Sequence, residues 1–165
     1  LLLKLSEYKI YEALNIICKS GLFNGEHAQN YFERFLNHAD LFSLTPAIIK
    51  MDETDLLKGN NAPENFDLLL NAKNPNCTAI ALCILERNRF KNSQARIFAS
   101  QNAFFGYHLS ILEDYNMLDG PEAQNHIDAL LRHHNLSALY ESINSVQYYL
   151  GMDETYFNIL INIAN

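Results

Sequence analysis

Residues 22–36 of this chain read LFNGEHAQNYFERFL, and residues 117–131 read MLDGPEAQNHIDALL. Gly25 falls on Gly120, Ala28-Gln29-Asn30 on Ala123-Gln124-Asn125, and Phe35-Leu36 on Leu130-Leu131. Upstream, Leu14 and Ile17 fall on Leu109 and Leu112; downstream, His38 and Leu41 fall on His133 and Leu136. One unit is used at least twice. A third copy, LLKGNNAPENFDLLLNA, places Gly59, Ala62, Phe66 and Leu69-Leu70 at the same positions. A fourth, at 149–162, aligns Tyr156-Phe157 and Ile161-Asn162 with Tyr31-Phe32 and Leu36-Asn37, and a degenerate fifth runs from Phe90 to Ala103. Turns therefore fall near residues 25, 59, 92, 120 and 151. A unit of roughly thirty residues is one supersecondary piece that cannot hide its apolar face alone and must stack on its neighbours.

Each unit is predicted to be two helices with a turn between them. Second helices carry start signals: Asp119-Gly120-Pro121-Glu122 and Asn61-Ala62-Pro63-Glu64 combine a cap, a proline in the first turn and a glutamate. Asn24, Asn92 and Asp153 are predicted to cap their own helices. First helices are expected to start at Thr45-Pro46 and Asn74-Pro75. Apolar residues then recur at helical spacing, as in Ala28, Phe32, Phe35, Leu36 and in Ala123, Ile127, Leu130, Leu131. Phe32 and Leu130 are thus expected in the core, as are Phe104-Phe105 and Tyr148-Tyr149. Met-Asp-Glu-Thr, at 51–54 and again at 152–155, is either a recurring helix start or chance. Valine occurs once and threonine four times, which argues against a β fold. The expected fold is all-α: about five helix-turn-helix units forming a short solenoid or an irregular bundle. The tetratricopeptide and ankyrin patterns are absent. The first residue is not methionine, so residues 1–165 read as a single domain of a longer polypeptide.

A net charge of −7 disfavours a surface that must contact many phosphates, so no nucleic acid is expected. Three cysteines, Cys18, Cys77 and Cys83, with no CxxC pair suit a reducing, cytoplasmic setting and read as small buried residues. No run approaches the ~20 apolar residues of a membrane span. Signatures of hydrolases, nucleotide-binding loops, zinc proteases and calcium loops are missing, and no cofactor is expected.

One polar and aromatic stripe stands out when residues are counted at 100° along each second helix. It contains Glu122, His126 and His133 in one unit, His27, Tyr31 and His38 in another, Asn61 and Asn65 in a third, and Tyr156 in the last. In stacked units this stripe would line one face and bind a protein partner; alternatively it is a solvated flank or packs against the next helix. Glu122 and His126 are spaced to share a metal, but His133 lies roughly 10 Å further on, so no metal site is expected. Arg87, Arg89, Lys91 and Arg96 gather four positive charges in ten residues, a candidate anion site for an acidic peptide or a phosphoinositide, or a solvated turn. His133-His134 and the other histidines are candidate pH sensors.

The cadence Leu56-Leu57, Glu64-Asn65-Phe66, Leu69-Leu70 is similar to helical repeats in secreted effector proteins of intracellular bacterial pathogens. The resemblance implies a protein-binding or spacer segment delivered into a host cytosol, and the twenty asparagines fit an AT-rich bacterial genome. It carries over no catalytic residue. The leading expectation is a protein-interaction module; the alternatives are a spacer or dimerisation domain and an enzyme whose site is assembled without a motif. A concave polar cluster with displaced pKa values would favour the enzyme, and a large apolar patch would favour self-association.

Overall fold

Scarce valine and threonine and many helix caps favour helix along the backbone. A computed structural model describes residues 2–90 and 92–163, with side chains from residue 7, and shows ten α-helices and no strand among them. They are α1 (Leu2–Lys19), α2 (Ala28–Leu36), α3 (Leu41–Glu53), α4 (Ala62–Leu70), α5 (Pro75–Arg87), α6 (Ser93–Gln101), α7 (Phe105–Asp114), α8 (Ala123–Arg132), α9 (Leu136–Leu150) and α10 (Glu154–Ile163), with a 3-10 turn at Gly59–Asn61. The odd-numbered helices neighbour one another in chain order, α1 on α3, α3 on α5, α5 on α7 and α7 on α9. Among the shorter even-numbered helices, α4 touches α6 and α6 touches α8.

The helix starts follow cap chemistry, with corrections. Asn74, Asn92 and Asp153 accept from Cys77 N–H, Ala95 N–H and Tyr156 N–H as expected. Asn61 stands at the cap of α4 without a side-chain bond. Asn24 and Asp119 do not cap: His27 and Glu122 precede α2 and α8, and the Asp119–Glu122 segment is turn. Helix α3 starts at Leu41, a turn before Thr45-Pro46, because Asp40 accepts from Ser43 N–H at 3.0 Å. Pro46 therefore sits inside the helix and leaves the Phe42 carbonyl without its usual donor. Asn135 does the same for α9 through Ala138 N–H at 3.1 Å. The two Met-Asp-Glu-Thr segments differ: the first ends α3, the second leads into α10.

Helices α3, α5 and α7 end alike. Leu56 N–H reaches back to Met51 O, Phe90 N–H to Leu85 O and Met117 N–H to Leu112 O, each after a left-handed residue: Asp55, Arg89 and Asn116. Gly25 and Gly120, aligned in the sequence, both hold positive φ in the turn that follows, at 87° and 99°. An L side chain is strained there, which explains why this glycine recurs.

Two apolar clusters result. One gathers Ile17, Phe35, Ile48, Met51, Phe66 and Leu69; the other gathers Phe105, Leu109, Ile127, Leu130, Ile143 and Phe157. Helix α5 serves both: Ala79, Leu82 and Cys83 face the first, Ala81, Ile84 and Leu85 the second. Burying each such leucine contributes about 1.5–3 kcal/mol. Some expected core residues are displaced. Phe32 is 43% exposed and meets the Phe23 ring at a steep angle, because Tyr31 points inward instead. Phe105 is buried, whereas Tyr148 and Tyr149 stack on each other in solvent at the end of α9. Cys77 and Cys83 are buried but Cys18 is exposed, and all three are free thiols.

Candidate functional site

The stripe read from the sequence does not form one exposed ridge. Tyr31, Asn65 and His126 each lie three residues after the first residue of α2, α4 and α8, and all three are buried. At that register the side chain points between neighbouring short helices. Tyr31 donates its hydroxyl to Asp67 of α4 at 3.1 Å and meets the Phe66 ring edge-on. Arg34 joins the same carboxylate at 2.6 Å. Burial, reinforced by Asp67, raises the Tyr31 pKa, so the phenol stays a donor. Asn65 donates to Leu56 O at 2.6 Å and accepts from the Arg96 guanidinium of α6. His126 contacts Met117 O at 3.0 Å, the Phe157 ring of α10, and Glu154 at 3.5 Å. Asn65 and His126 thus bond a carbonyl at the same offset of nine residues. These residues join helix to helix. Replacing Asn65 with alanine strands a buried carbonyl and loosens Arg96; about 2 kcal/mol of stability should be lost in urea titration.

His38 and His133 share another local device. Each Nδ1 accepts a backbone N–H at 3.1 Å, from Asp40 and Asn135, the residues that cap the next helices. His133 is buried and His38 half-buried. His27 and Glu122 are exposed at the starts of α2 and α8, where His27 meets the Tyr31 ring and Glu122 accepts from Asn125. Tyr156 is half-buried. Because Tyr31, Asn65, His126 and His133 are inside, the exposed members are separated. Among the described residues no three His, Cys, Asp or Glu side chains are placed to hold a metal ion.

The basic segment is largely committed to carboxylates. Arg87 grips Glu113 of α7 with two nitrogens, at 2.6 and 3.3 Å, and Asn88 joins them. Arg96 lies between Asn65 and Glu86, 3.8 Å from the latter. Any anion there competes with Glu113 and Glu86. Arg89 is exposed at a left-handed position, and Lys91 lies outside the described residues.

A different surface emerges between α1 and α3: an open groove of about 380 Å³. Its walls include Tyr8, Tyr11, Glu12 and Lys19 from α1 and Asp52 and Glu53 from α3. Both tyrosines are 65% exposed. Three carboxylates outnumber one lysine, and two aromatic faces stand beside them, a combination that attracts cations. The sequence held a signal: Tyr8, Glu12, Asn15 and Lys19 recur at helical spacing without an apolar member. It was masked because the aligned copies match there only at apolar positions, Leu14 and Ile17. The buried groups with displaced pKa values, Cys77, Cys83, His108 and His133, lie elsewhere, so the groove has no acid–base character from them. No described helix is long and apolar enough to cross a membrane. Comparison of the chain with protein-family models, curated proteins and solved structures finds no match.

Proposed function

We propose that the chain is a protein-interaction module, a short array of helical hairpins whose α1–α3 groove receives a basic, extended segment of a partner protein. The array reading is supported by the chain-order contacts of the odd-numbered helices and by the matching turns after α3, α5 and α7. The observation that carries the function is the groove itself, in which exposed Tyr8 and Tyr11 stand over a carboxylate-rich floor. Lysine or arginine side chains would lay their charge on the phenol faces and pair with Glu12, Asp52 or Glu53. Recognition of this kind needs no chemistry, only a fixed surface. The likeness to effector repeats extends the proposal to partners in a host cytosol.

The test is titration with a lysine- and arginine-rich peptide and an acidic control, followed by backbone amide NMR shifts. The expected result is saturable shifts confined to α1 and α3, weakened by salt and reduced at least tenfold in affinity by Tyr8→Ala with Tyr11→Ala. Equal shifts with both peptides, or shifts elsewhere, would overturn it. A spacer or dimerisation role is the second reading, favoured by exposed Tyr148, Tyr149, Leu150 and Ile163 in the last hairpin. Mass that rises with concentration in light scattering, and falls back on Tyr148→Ser with Tyr149→Ser, would favour it.

A further inference from the structure

Two imidazoles are buried where helix packing alone would be content with smaller or apolar groups. His108 is the fourth residue of α7; the fourth residues of α3, α5 and α9 are Leu44, Thr78 and Leu139. His133 lies ten residues after the first residue of α8; the residues at that offset in α2, α4 and α6 are the half-buried His38, Ala72 and Ala103. His108 is fully buried, with its ring edge-on to Tyr140 of α9, and His133 is 5% exposed. Both rings meet the first turns of α9, His108 against Tyr140 and His133 through its bond to Asn135, the cap of that helix, and a charge on His133 lowers the His108 pKa.

Their neighbours fix their tautomers in opposite senses. His108 Nδ1 lies 2.9 Å from Phe104 O, and a carbonyl only accepts, so the proton is on Nδ1 and Nε2 keeps a lone pair. His133 Nδ1 accepts from Asn135 N–H, so the neutral ring carries its proton on Nε2. Both Nε2 atoms are buried without a hydrogen bond to any described residue. One is a donor lacking an acceptor, the other an acceptor lacking a donor. Such groups are costly to leave unpaired, and a buried one calls for a partner.

We propose that His108 and His133 form a two-sided internal site for one small neutral molecule that both accepts and donates, and that water is its occupant. The molecule accepts from His133 Nε2–H and donates to His108 Nε2, tying the α8–α9 turn to α7. The tautomers select this class of ligand. A divalent metal would need a second free lone pair, and His133 has none to give; an anion would need a second donor, and His108 has none. Internal waters typically make two to four hydrogen bonds to groups of this sort.

Nitrogen-15 NMR of the imidazoles at neutral pH tests the tautomers, and water-edited NOE spectra test the occupant. The expected result is Nδ1–H on His108, Nε2–H on His133, and a cross-peak from His133 Hε2 to a water that exchanges slowly. The same tautomer on both rings, or no such water, would overturn the proposal. A double-mutant cycle with His108→Leu and His133→Leu adds a stability readout. A shared site makes the double variant at least about tenfold more stable in its folding constant than the sum of the singles requires. Additivity within twofold would overturn the sharing. If a variant fails to fold, the tautomers and the water cross-peak of the native protein decide.

Discussion

Gly106→Ala is expected to unfold the protein or to cost it more than about 3 kcal/mol. Gly106 lies in the first turn of α7, where the helix comes closest to α5. A Cβ there would stand 2.0 Å from Cys77 O and 2.9 Å from Cys77 C. The obstacle is backbone, so no rotamer change relieves it, and the added methyl must push α7 from α5. The Gly106 N–H also donates to Cys77 Sγ at 3.1 Å, a bond that would be stretched. Ordinary overpacking costs about 1–3 kcal/mol, and a contact this short against a helix shared by both clusters belongs at or above that range. Local propensity argues the other way, since alanine favours a helix interior over glycine by about 1 kcal/mol. The two effects differ in sign, so a urea midpoint decides between them. A variant as stable as the parent would mean that the helices do not approach this closely.

Acid should destabilise the fold in a window set by His108. Desolvation holds its folded pKa down at about 4, against 6.5 for an ordinary imidazole; the bond to Phe104 opposes this, while the His133 charge adds to it. Between those values the unfolded chain takes up a proton that the native protein refuses. Stability is therefore full above pH 6.5 and is lost as pH falls toward 4. A displacement of that size corresponds to about 3 kcal/mol. Burial depresses His133 as well, with His134 adding, so its contribution has the same sign. Asp40 is held low by its bonds to Ser43, and its loss falls below the histidine window. Urea midpoints at pH 7, 5.5 and 4.5 should fall steadily for the parent. They should fall much less for His108→Leu, whatever that variant's stability at pH 7. Parallel slopes would assign the acid response to other groups.

The helical class and several helix starts were legible because they rest on local chemistry. Asn74, Asn92 and Asp153 cap through bonds made within three residues. The glycines at 25 and 120 answer to φ alone. Boundaries misread from the sequence also have local causes: Asp40 outcompetes Thr45-Pro46 because its carboxylate reaches Ser43 N–H first along the chain. The direction of the polar stripe was less accessible. A few tens of degrees in helix rotation separate an exposed Tyr31 from one bonded to Asp67, and the neighbouring helix sets that rotation. Phe32 was assigned to the core and Tyr31 to the surface by the same small error. The α1–α3 groove needs residues separated by about forty positions to meet, which periodicity within one helix does not report. Its half from α1 was visible as a helix face without apolar residues; its half from α3 was not.

Helix α5 has a consequence for how such a chain changes length. Each of the two clusters takes its inner wall from opposite sides of one thirteen-residue helix, and nine of those residues are buried. Deleting a hairpin at the centre would strip both clusters at once, and inserting one would require a second helix apolar on both sides. Helix α5 is in this sense a keystone: insertions and deletions should be tolerated away from it before they are tolerated beside it.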